Sequence, residues 1–129
     1  MKIIKTLAAL LLTALFLTSC SDTHEAVMRD QTAWLKQATV ILNEVADEKI
    51  TPEKAAGRIK ELGKESKEIA ERRRALSANA TPEELAATKP FADQVEHSFQ
   101  EYLDAVKRVT EAGKMNEELT KALENIDTM

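Results

Sequence analysis

The feature that most constrains this chain is a repeated helix-start signal. Thr51-Pro52-Glu53 and Thr81-Pro82-Glu83-Glu84 each combine a threonine able to cap free amides, a proline suited to the first helical position, and acidic side chains facing the positive end of a helix dipole. Glu84 stands three residues after Thr81, which completes a capping box. Around these signals mostly apolar side chains recur every three or four positions. Val27, Trp34, Ala38, Ile41 and Val45 form one stripe, flanked by Met28, Leu35 and Leu42. Ala55, Ile59, Leu62, Ser66, Ile69, Arg73 and Leu76 form a second, and Ala92, Val95, Phe99, Tyr102, Val106 and Val109 a third. That spacing belongs to helices, and no strand-like alternation competes with it. The pattern predicts an all-α chain, an antiparallel three-helix bundle with coiled-coil-like packing. The first helix should run from about Asp22 to near Glu48, and the second should end near Ala78-Asn79. Pro90 disfavours helical geometry at Lys89, so residues 82–88 predict a short turn before the third helix.

The third stripe is continuous to Val109 and then loses phase. An undisturbed helix would next bring Gly113 to the core, yet the following apolar residues are Met115, Leu119, Leu123 and Ile126. At about 100° per residue they point away from the Val106 face. Gly113 costs only ~1 kcal/mol inside a helix, so a long third helix is the expectation. On that reading Met115, Leu119, Leu123 and Ile126 overhang the bundle as a seam for a protein partner or a second copy. The alternative is a short fourth segment after Gly113 that folds back, started by Asn116-Glu117-Glu118.

The front of the chain reads differently. Lys2 and Lys5 precede an apolar run from Leu7 to Leu17, interrupted only by Thr13. Eleven residues at about 1.5 Å each reach ~17 Å, against a hydrocarbon core of roughly 30 Å, so the run is too short to span. A basic stretch before such a run is the pattern of an export signal. Leu17-Thr18-Ser19-Cys20 then resembles the lipobox of bacterial lipoproteins. The resemblance implies that the signal, residues 1–19, is cut between Ser19 and Cys20, and that Cys20 carries the lipid. It further implies a cell-envelope address. Ser21, rather than aspartate, follows the cysteine, which by the same resemblance favours the outer membrane in a diderm organism. Cys20 is the chain's single cysteine, so an acylated mature chain has no thiol left for disulfides, metals or catalysis.

Residues 20–129 suffice for one helical domain anchored at Cys20. Once Lys2 and Lys5 leave with the leader, 16 basic residues face 22 acidic ones, a net charge of −6. That balance argues against a nucleic-acid partner. Catalytic motifs are missing: no glycine-rich phosphate loop, no Gly-x-Ser-x-Gly, no His-Glu-x-x-His. Asp93, His97 and Glu101 lie at helical spacing and form a weak candidate metal face, which an ordinary solvated acidic surface explains as well. The length, export signal and helical pattern also resemble the periplasmic four-helix b-type cytochromes, which hold haem with an early methionine and a late histidine. Met28 fits that plan, but the last histidine is His97, with 32 residues after it. No cofactor is therefore expected. Arg72-Arg73-Arg74 is the only basic run. It complements a helix C-terminus, and because the second helix returns toward the anchor it can also face anionic headgroups. The sequence thus predicts a non-enzymatic lipoprotein, held by acylated Cys20, with a protein-interaction or structural role. The alternative is a carrier of a metal, haem or lipid in the periplasm.

Overall fold

The computed structural model describes residues 23–126. Among them are five helices: α1, His24–Ala46; α2, Pro52–Ser77; α3, Pro82–Ala87; α4, Lys89–Glu111; and α5, Glu117–Glu124. No strand occurs among the described residues, and the chain is all-α. No helix among them is long and apolar enough to cross a membrane. The leader, Ser19 and Cys20 lie outside the described residues.

The threonine signals work as local physics requires. Thr23, Thr51 and Thr81 cap α1, α2 and α3, each hydroxyl accepting the amide three residues on. At Thr81 the Glu84 carboxylate also accepts the Thr81 amide, closing the capping box. Residues 82–87 are consequently a short helix and not the expected turn. Only Thr88 separates it from α4, which begins at Lys89. Pro90 sits in the first turn of α4, where its missing N–H leaves no intrahelical bond unmade.

Two helices end in the same device. At the end of α1 the Lys49 amide donates to Glu44 O and the Glu48 amide to Val45 O, with Glu48 at φ 60°. At the end of α4 the Lys114 amide donates to Val109 O and the Gly113 amide to Thr110 O, with Gly113 at φ 68°. These are Schellman caps, and each stops its helix. The long third helix is thereby corrected. It ends at Glu111, and Asn116 starts α5 by accepting the Leu119 amide at 2.8 Å.

Cross-helix contacts fix the directions. Asp30 pairs with Arg72 and Glu44 with Arg58, so α1 and α2 form an antiparallel hairpin. Arg29 lies over the Phe91 ring, and Asn43 and Asp47 both accept from Arg108, so α4 runs parallel to α1. The main helix contacts are α1 with α4, α1 with α2, and α2 with α5. The core follows the first two stripes: Val27, Trp34, Ala38, Ile41 and Val45 from α1, with Ala55, Ile59, Leu62 and Ile69 from α2, are buried.

The third stripe is rotated from its expected position. On α4 the fully buried side chains are Ser98, Ala105 and Val109, while Phe99 is 44% exposed. Small side chains at Ser98 and Ala105 let α4 approach α1 closely, and that contact sets the buried line rather than the larger residues beside it. The C-terminal seam is corrected as well. Leu119 is 0% exposed, and Met115, Leu123 and Ile126 are partly buried against the core. Their change of phase after Val109 is what a segment turning back onto α2 needs.

Candidate functional site

An apolar groove of about 360 Å³ lies where α1, α4 and the end of α5 fail to close completely. Its α1 wall is Met28, Gln31, Trp34 and Leu35. The α4 wall is Ala92, Val95, Phe99 and Tyr102, and Leu123 and Ile126 close one end. Each wall arises from the helix stripes. The α1 residues follow one another at three- and four-residue spacing, and the α4 residues are those left beside the Ser98–Ala105 contact line.

Three aromatic rings build the floor. Phe99 stacks on Tyr102 with centroids 6.1 Å apart, and Tyr102 tilts against Trp34 at 6.5 Å. Trp34 is held from behind, its Nε1 donating to Leu62 O at 2.7 Å. Burial raises the Tyr102 hydroxyl above its ordinary pKa, because the phenolate would be poorly solvated there. The rings are a rigid apolar platform with few torsions to freeze on binding.

Polar groups in the groove are few. Arg73 and Glu96 line it, and both are exposed. Gln31 is different: it is 4% exposed, it lines the groove, and its carboxamide has no hydrogen-bond partner among the described residues. A site of this kind, mostly apolar with a few placed polar groups, suits an apolar ligand bearing a polar atom. The signal for Gln31 was present in the sequence. It stands four after Val27 and three before Trp34, inside the first stripe, where it reads as a mere gap.

Elsewhere the candidate residues are dispersed. His97 is 78% exposed at its side chain and meets Glu101 at 2.8 Å, while Asp93 is paired with Lys89. Asp93, His97 and Glu101 are not brought together as a metal site among the described residues. Met28 lines the groove but His97 does not, so the pair expected of a haem site does not converge. Arg72 is engaged with Asp30 of α1 at 2.7 Å, Arg73 lines the groove, and Arg74 has contacts of its own. Leu119, on α5, is buried, and Leu123 and Ile126 belong to the groove wall rather than to an overhanging seam. Comparison of the chain with protein families, curated proteins and solved structures gives no match.

Proposed function

We propose that this chain is a lipid-anchored envelope protein with a non-enzymatic interaction or structural role. The observation that carries the reading is where the apolar groove lies. It is built on the first half of α1 and of α4, the end of the fold that leads back to Cys20. An anchor of two or three acyl chains there would hold that end firmly at a membrane, since each buried methylene contributes ~0.8 kcal/mol. The antiparallel α1–α2 pair returns Arg72-Arg73-Arg74 to the same end, where Arg73 would meet headgroups. The finer architecture we propose is an up-down-up bundle of α1, α2 and α4, with α5 folded along α2. The outer membrane is the address we propose in a diderm cell.

Interaction would use the apolar edge of α4. Phe99 and Leu103, one turn apart, are both more than two-fifths exposed. Two large apolar side chains at that spacing suit a partner helix. A second reading, a carrier of a small apolar ligand, is favoured by the unpartnered carboxamide of Gln31.

The anchor is tested by metabolic labelling with a fatty acid. Cys20→Ala should abolish the label and block removal of the leader, and a mutant labelled at wild-type level overturns the anchor. Crosslinking in the native cell tests the edge. Leu103→Glu should keep the melting temperature and lose the crosslinked partner.

A further inference from the structure

We infer that the groove seats one acyl chain of the lipid carried by Cys20; the inference rests on the anchor reading above. Gln31 supplies the first argument. The carboxamide of this nearly buried residue lines the groove and has no hydrogen-bond partner among the described residues, so a ligand bearing its own polar atom can bond it there. An ester or amide carbonyl, the group that begins every acyl chain of such an anchor, accepts from the Gln31 NH₂.

The lining agrees with a neutral carbonyl. Arg73 and Glu96 bring one positive and one negative charge to the lining, so neither a free carboxylate nor an ammonium is favoured overall. The rest of the lining, Met28, Val95, Phe99 and Tyr102 included, carries no further charge. A cavity of about 360 Å³ is within the range of sites that bury small ligands.

Chain length outside the described residues completes the case. Cys20 precedes Thr23 by three residues, at most ~11 Å of extended backbone. From Thr23 to Gln31 the path along α1 is ~12 Å. A tether that short raises the effective concentration of the Cys20 acyl chain at the groove to roughly the millimolar range, ahead of an untethered chain. One chain lies in the groove, the others stay in the bilayer, and the start of α1 is held against the membrane in one orientation.

The test uses the full chain in its own cells. Cells are fed a fatty acid carrying a diazirine at mid-chain, their membranes are irradiated, and the purified chain is digested with trypsin. The protease spares the Lys89-Pro90 bond, so α4 is released on a peptide of residues 75–107. A crosslink joining the Cys20 peptide to the α4 part of that peptide is the expected result. Val95→Trp should fill the groove and lower that crosslink about tenfold while Cys20 stays labelled. Should that variant fail to fold, Ala92→Phe serves in its place. If Cys20 is labelled but links only to bulk lipid, the inference is overturned and the anchor stands. It is overturned too if the α4 peptide carries a lipid not joined to Cys20, which would make the occupant a membrane lipid. If Cys20 takes no label, the anchor reading itself falls, and the inference with it.

Discussion

Trp34 shows how much one side chain can settle. It is the chain's only tryptophan, it is 2% exposed, and it reaches across to a carbonyl of α2. Trp34→Ala removes that packing and leaves a cavity, at a cost of ~3–5 kcal/mol. That is a large part of the ~5–15 kcal/mol a small domain possesses. Urea unfolding should show the midpoint fall accordingly, and an unchanged midpoint would mean the ring is not core. Thr32 makes the opposite case. Its hydroxyl is buried with no hydrogen-bond partner, and valine has the same shape without the oxygen. Thr32→Val should therefore raise stability by about 1 kcal/mol, read as a higher urea midpoint. A lower midpoint would reveal that the hydroxyl has a partner. The burial of Trp34 was legible in the first stripe. The solitary state of the Gln31 amide was not, because it depends on how near α4 comes, and Ser98 and Ala105 decide that from more than sixty residues away.

Among the elements, starts were easier to read than stops. Capping threonines followed by proline and glutamate satisfy a helix start with three or four adjacent residues, so local chemistry is sufficient there. The stop at Gly113 needs more. Glycine within a helix costs only ~1 kcal/mol, which local sequence alone does not turn into a break. The decision belongs to Leu119, which buries itself completely once the chain turns back onto α2. Two substitutions separate these contributions. A Cβ on Gly113 would meet no atom within 4 Å, so Gly113→Ala costs only what left-handed backbone imposes, ~1–2 kcal/mol. Leu119→Ala should cost ~2–5 kcal/mol through the cavity it leaves. Both follow from urea titration monitored by Trp34 fluorescence. If Leu119→Ala is the milder of the two, the turn rather than the packing holds α5 in place.

For the whole molecule, three arginines set how the long helices are aligned. Arg58 and Arg72 tie α2 to α1, and Arg108 ties α4 to α1 through both Asn43 and Asp47. Exposed pairs of this kind contribute under ~1 kcal/mol each, so they select register more than they add stability. The all-α class and the antiparallel α1–α2 pair were legible in the stripes and caps. The up-down-up order those stripes predict also has α4 running parallel to α1, as its contacts do; the returning α5 was not legible, since it rests on contacts between distant segments. The parallel course of α1 and α4 also governs time. The α1–α2 hairpin closes across a short turn, whereas the Arg108–Asn43 bond spans 65 residues and the Asn116–Glu53 bond 63. Closing a longer loop loses more chain entropy, so the hairpin forms early and α4 and α5 dock late. In stopped-flow experiments Leu119→Ala should speed unfolding and leave the refolding rate nearly unchanged. The two rates are thus governed by different parts of the chain: the hairpin sets how fast it folds, and the docked C-terminal segment sets how long it stays folded.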